Sequence, residues 1–360
     1  MKASYARVYV TRSFELFILS LTGTVVISVT GFSPSAMIQN RSNNLEVAKL
    51  LVAKDQHLPN IADIEDEFLP LHVAAVLGHK NMVHYLMGVT SSQEDNIEDH
   101  GPAFVAFLIN SGLYDIALLF LQRYGALIAR ETKMHVSLLQ LIAMQNSAFK
   151  SGTKFNFWQT LIYFCVPTKL EESTYHCSCG DVENPTHCCI SGTMKQKLLG
   201  VFWKVAEMLV PRIKHVRGIK WKHDHAIQLV RHLCMEYEKL DFSEARQRVG
   251  RSVIAATTSG IPEVIEEIVS TFPEAIYSKN EEGQNLFHIA ILNRQRKAFK
   301  RIYQLSDKPV INNLLTLPDS LGNTNLDLVA YLKEEQSSKL KADATGAALQ
   351  MQLELQWFKG

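Results

Sequence analysis

The segment Leu69-Pro70-Leu71-His72-Val73-Ala74-Ala75-Val76-Leu77-Gly78-His79 sets a frame that returns at a fixed distance along the chain. From His72 the frame falls on Ala106 and then, by an equal step, on Gln140; Gly78 returns as Gly112 at the same interval. Self-similarity at a period of roughly 33 residues marks a repeat architecture, in which each unit buries its apolar face on its neighbours. The segment reads physically as follows. A tight turn opens a short helix at Leu71, and the His72 side chain can tie neighbouring turns together by hydrogen bonds. Ala74 and Ala75 let a second helix pack closely behind the first, and Gly78 supplies the turn between the two.

A second block restores the period. Asn285-Leu286-Phe287-His288-Ile289-Ala290-Ile291-Leu292-Asn293 is the same turn-helix opening, with Gly283 just before it. One unit earlier, at the interval that separates His72 from Ala106, Ile254-Ala255-Ala256-Thr257-Thr258-Ser259-Gly260 fits the frame. One unit later, the stretch Gly322 to Ala330 fits with a short insertion, which carries Asp327 a little past the position that His288 sets. Second helices are visible too. Pro262 stands near the first turn of one, where its missing N–H costs nothing. Ile261, Val264, Ile265, Ile268 and Val269 then lie on one helical stripe. Leu45 to Val52 reads as the second helix of an incomplete unit, and Asp55 to Asp66 as a connecting loop. Sharp motifs occur at His72 and His288; Gln140 and Asp327 replace the histidine elsewhere, and Ala106 offers no polar group.

This motif is similar to the ankyrin repeat. The fold class expected is all-α: an ankyrin-repeat solenoid in two blocks separated by a helical and loop insert. The segments 58–86, 146–152, 209–215, 280–295 and 346–359 resemble a plant family of ankyrin-repeat proteins that end in a membrane-spanning PGG domain. Their most specific parts are Asn280 to Gln295 and Gly346 to Lys359. The resemblance implies a stress- or immunity-related signalling scaffold at a membrane, the plasma membrane in that family. There the counterpart of the last segment leads into several membrane helices, whereas this chain stops at Gly360 and reads as a truncated form without that anchor. The expected divisions are an apolar N-terminal segment (1–40), repeats (41–152), an insert with a cysteine-rich loop (153–243), repeats (244–335) and a C-terminal helix (336–360).

Composition narrows the function classes. An apolar content of 47% is ample for a packed core, and a net charge of +1 gives no global push toward nucleic acid. Six cysteines in 360 residues do not make a secreted disulfide framework, so a reducing, intracellular setting is the simpler reading. Near the N-terminus, Lys2, Arg7 and Arg12 precede an uncharged run, Leu16 to Phe32. A spanning helix needs ~20 apolar residues. The run is shorter than that and reads as a signal peptide, a weak signal anchor or a non-native start.

The insert carries the tempting chemistry. Residues 156–167 read as an apolar helix, 169–193 as a polar loop, and 195–210 and 225–238 as amphipathic helices, the last with a buried stripe of Ile227, Val230, Cys234 and Tyr237. The loop holds His176, Cys177, Cys179, His187, Cys188 and Cys189. Sulfur and imidazole suit zinc, but common knuckles place two residues between paired ligands. The reading is a loop with exposed thiols and no metal or other cofactor; a metal-binding or redox-sensing module over Cys177 to Cys189 is the alternative function. Arg212, Lys214, Arg217, Lys220 and Lys222 could touch lipid headgroups or could be a solvated turn around Gly218. Dinucleotide, P-loop and HExxH motifs are absent. The C-terminal segment 346–358 reads as a helix with exposed apolar surface that invites a partner. Together these point to a non-enzymatic scaffold that grips protein partners on a concave surface of turn tips and inner helices, without nucleic acid. A membrane surface beside it is what the resemblance implies, and the form that stops at Gly360 is expected to be soluble.

Overall fold

The computed structural model describes residues 43–61, 68–90, 94–128, 136–166 and 211–330, and over them the chain is all-α with no strand. In chain order the helices are α1 (Asn43–Lys54), α2 (Pro70–Val76), α3 (Lys80–Val89), α4 (Glu94–Asn110), α5 (Tyr114–Ile128), α6 (Leu138–Ala143) and α7 (Phe157–Cys165). They continue as α8 (Pro211–Glu238), α9 (Phe242–Ser259), α10 (Pro262–Thr271), α11 (Leu286–Leu292), α12 (Arg296–Leu305), α13 (Lys308–Thr316) and α14 (Asn325–Ala330).

One turn, built four times, generates this order. Gly78, Gly112, Gly260 and Arg294 all have left-handed backbone, with φ of 70°, 72°, 74° and 55°. In each case the amide of that residue bonds the carbonyl three residues back. The next amide bonds the carbonyl five back: His79 to Ala74, Leu113 to Leu108, Ile261 to Ala256 and Gln295 to Ala290. This is the Schellman closure that satisfies the last carbonyls of a helix and reverses the chain. Glycine supplies the positive φ freely at three of the turns; Arg294 adopts it at a cost.

The reversals create two rows. α2, α4, α6, α9, α11 and α14 pack in succession to make the first. Behind it α5, α8, α10 and α12 pack in succession, and α3 joins α5 through the Lys80–Asp115 ion pair at 2.7 Å. Each first-row helix from α2 to α11 also packs on one of the second row, in the pairs α2–α3, α4–α5, α6–α8, α9–α10 and α11–α12. The expected stripe of α10 is its buried face: Val264, Ile265 and Ile268 are fully covered. A single apolar core runs from Ala48 to Val329 through both blocks.

In sequence the insert parts the two blocks; in space its helix α8 joins them. After α6 the chain leaves without a left-handed turn and returns as α8, which packs against α6, α5 and α10. Ala226, Leu229, Val230, Leu233, Cys234 and Tyr237 of α8 enter the common core. Register supports the same placement. Arg231 of α8 pairs with Glu267 of α10, one period on, at 2.6 Å, much as Lys80 of α3 pairs with Asp115 of α5. The C-terminal half of α8 is thus the second helix of the unit that α6 opens. At 28 residues α8 is ~42 Å long, against ~15 Å for the ten residues of α10. Its N-terminal half therefore runs on past the stack.

Three local expectations differ from what forms. Ala106 and Ile254 are not helix openings: each lies well inside a helix, α4 starting upstream at Glu94 and α9 at Phe242. Neither position offers an acceptor for the amide three residues earlier, and both helices extend upstream, α4 running through Pro102. The turn expected at Gly218 is helix interior. A helical glycine costs ~1 kcal/mol, which the burial of neighbouring Ile213, Val216 and His223 offsets. The expectations for Leu16 to Phe32, for the loop with Cys177 to Cys189, for 195–210 and for 346–358 lie outside the described residues.

Candidate interaction surface

The two sharp motifs build the same local site. The Leu69 amide donates to His72 Nδ1 at 3.1 Å, and the Asn285 amide donates to His288 Nδ1 at 3.1 Å. Accepting at Nδ1 leaves the proton on Nε2, so both rings are neutral in this arrangement. Asp327 performs the same task with a carboxylate: Oδ2 accepts from the Thr324 amide at 2.8 Å and from its hydroxyl at 2.7 Å. Ser137 caps α6 in the third variant, accepting from the Gln140 amide at 3.2 Å.

His72 sits among Phe68, Phe104, Phe107 and His100, with ring centroids 5.5, 5.6, 6.3 and 5.8 Å away. Burial there pulls its pKa down to about 4. Burial lowers His288 as well; its Nε2 faces the Leu317 backbone without a hydrogen bond of ordinary geometry. Leu71, Ala74, Ala75, Phe287 and Ala290 are buried around these turns. Sequence reading passed over Asn285. Its Oδ1 accepts from the Phe287 and His288 amides at 3.0 and 3.1 Å, while its Nδ2 donates to the Leu314 carbonyl at 2.7 Å. Asn325 donates to Leu314 and Leu315 from the following unit, both at 3.1 Å. The signal available was an Asn three residues before the motif His, a strong N-cap.

Two turn tips project beside these sites, and they are copies. Asn280 and Gln284 close one tip, the Asn280 amide on the Gln284 carbonyl at 3.1 Å and the Gln284 amide on Asn280 Oδ1 at 2.8 Å. One unit later, Asp319 and Asn323 repeat both bonds at 2.9 and 2.8 Å. The Ser320 amide donates to the Glu282 carbonyl at 3.1 Å, so one tip rests on the other. At the opposite ends of the first-row helices Val76, Leu77 and Met144 are 54%, 41% and 57% exposed, an apolar edge in the repeat frame. Ser111 bonds the Ala75 and Val76 carbonyls, and Gln145 bonds Asn110 at 3.2 Å, linking neighbouring units along that edge.

The basic stretch does not gather into one patch. Arg212 and Lys214 are exposed, but Arg217 is buried. Lys220 donates to the Val166 carbonyl at 2.7 Å and lies 5.5 Å from the Tyr163 ring centroid. Lys222 reaches the turn at Gly112. A continuous helix distributes these five around its circumference, because no bend at Gly218 brings them together.

The excursion after α6 forms a second candidate surface. In the pair of tight turns over 146–152, a Cβ on Gly152 would lie 2.0 Å from the Asn146 carbonyl oxygen, so only glycine fits. The Ser151 amide donates to Glu263 at 2.8 Å, and Lys297 donates to the Ser151 carbonyl at 2.6 Å, fixing the loop to α10 and α12. α7 follows, held on α8 by Tyr163. Its other face presents Phe157, Trp158, Leu161 and Phe164, which are 76%, 70%, 48% and 63% exposed. Lys150 stands 3.9 Å over the Phe164 ring.

Among the described residues no three His, Cys, Asp or Glu side chains are placed to hold a metal ion. Cys165 is exposed, and Cys234 is buried, with its thiol pushed up to about 12 by that burial. No helix of the described residues is long and apolar enough to cross a membrane. No family model matches the chain, and no curated protein matches it.

Proposed function

We propose that this chain is a non-enzymatic protein–protein interaction scaffold of ankyrin type, a solenoid that holds a protein partner along its first-row helices and turn tips. The observation that carries the reading is the ladder of cross-links one period apart. It runs through Lys80 to Asp115, Gln145 to Asn110, Arg231 to Glu267, Gln295 to Thr258 and Arg294 to Val329. Units that contact only their neighbours make an extended surface rather than an enclosed pocket, and such surfaces serve recognition. The resemblance to the plant ankyrin family with a PGG domain adds a context: intracellular, membrane-associated stress or immune signalling. The five basic residues of α8 favour a lipid surface less than they did in sequence, because they face different directions.

The test is affinity capture from an extract of the source organism with the wild-type chain and with a Val76→Lys, Met144→Lys double variant. Circular dichroism confirms that both fold. A defined set of proteins retained by the wild type and lost by the variant is expected. Equal retention by both would rule out this edge as the binding face.

A further inference from the structure

His223 is 1% exposed, near the point where α8 leaves the stack, and each of its ring nitrogens meets a hydroxyl. Thr153 Oγ1 lies 3.1 Å from Nε2, and Tyr163 Oη lies 3.1 Å from Nδ1. Thr153 has one hydroxyl proton, and it goes to the Phe149 carbonyl at 3.1 Å. The threonine oxygen must therefore accept from Nε2–H, which leaves Nδ1 as the acceptor for the Tyr163 O–H. The neutral ring is fully satisfied in this one tautomer. The ring also stacks on Tyr163 and Phe155, with centroids 5.7 and 6.4 Å away. Lys220 makes a further polar tie between α8 and the end of α7, on the Val166 carbonyl.

We propose that His223 is an acid-sensitive latch: its neutral form holds α7 and the preceding loop on α8, and its protonation releases them. A proton on Nδ1 turns that atom into a donor. Tyr163 must then swing its O–H away from its acceptor in a buried site, where an unmet donor is costly. The new cation would also be buried. Glu263 of α10 and Asp224 of α8 favour it, and Lys150 from the loop and Lys222 of α8 oppose it more weakly, while Lys220 stands over the Tyr163 ring beside it. Burial dominates this balance and keeps the ring below the ordinary histidine value of 6.5 while the latch is closed. In the released state the ring is solvated and titrates near 6.5. The closed state is therefore favoured above pH 6.5 and loses ground as pH falls toward the closed-state value, by up to tenfold per pH unit. The helix it secures presents Phe157, Trp158 and Phe164 outward, so release would move an aromatic surface. The latch stands independently of the scaffold reading.

Hydrogen exchange of the whole chain tests it, with rates corrected for the intrinsic effect of pH. Between pH 7.5 and pH 5 the protection of residues 157–166 is expected to fall several-fold, while that of α10 holds. His223→Gln, which cannot acquire the charge, should abolish the change. NMR titration of the His223 ring should give a midpoint below 6.5, and Tyr163→Phe, which removes the donor to Nδ1, should raise that midpoint. Unchanged protection of 157–166 across this range would overturn the latch. So would the same loss in His223→Gln, or a ring midpoint at or above 6.5 if that variant does not fold.

Discussion

Replacing His72 with Ala probes the motif where its chemistry is most exposed to measurement. The ring is 4% exposed and accepts the buried Leu69 amide. Removing it leaves that amide unmet, at about 1–3 kcal/mol, and opens a space among Phe68, Phe104 and Phe107 that adds to the loss. The more telling number is the dependence on pH. With a folded pKa of about 4 and an unfolded value of 6.5, the site contributes stability that is fully present above pH 6.5 and is lost as pH falls through about 4. At 1.36 kcal/mol per unit, the stability gap between wild type and His72→Ala should shrink by about 2 kcal/mol between pH 7 and pH 5. Urea unfolding followed by circular dichroism at pH 7, 6 and 5 gives this gap directly. The difference removes the contributions of other buried histidines, which both proteins share. A gap that stays constant with pH would refute the buried, neutral role assigned to His72.

Gly152→Ala should destabilise the chain by about 2 kcal/mol or more, because backbone must move where a Cβ meets the Asn146 carbonyl; the control Gly88→Ala, a helical site with open space, should stabilise by up to ~1 kcal/mol in the same denaturation series. Asn285→Ala removes an N-cap and one of the two amide donors to the Leu314 carbonyl, so a loss of about 1–2 kcal/mol is expected by thermal or urea unfolding, against less than half that for Asn312→Ala on the exposed side of α13. Elemental analysis of the purified protein should find less than stoichiometric zinc; one zinc per chain that disappears in Cys177→Ser, Cys179→Ser would favour the metal-binding alternative.

The parts of the fold that sequence made legible are those set by chemistry within a few residues. Gly78, Gly112 and Gly260 announce their turns because a positive φ selects glycine, and the stripe of α10 follows from helical spacing alone. His72 and His288 stand at fixed offsets because each caps its own turn. What stayed hidden is set across distance. α8 looked like part of an insert since nothing local tells a helix that its partner, α6, lies far upstream in the chain. The turn at Arg294 was missed because the left-handed residue there is not glycine. α4 and α9 both extend upstream past Ala106 and Ile254, which a period-based frame overlooks. Nothing in the residues next to His223 marks it as a latch. Its two hydroxyl partners come from residues 60 and 70 positions earlier in the chain.

The scaffold reading stands on the two blocks forming one stack through α8, and native-state hydrogen exchange at increasing urea tests that most directly. The account expects the amides of α6, of 226–238 in α8 and of α9 to lose protection together, coupled to α5 on one side and α10 on the other. Blocks at 69–128 and 242–330 that unfold at separate urea concentrations, with 226–238 unprotected throughout, would contradict it.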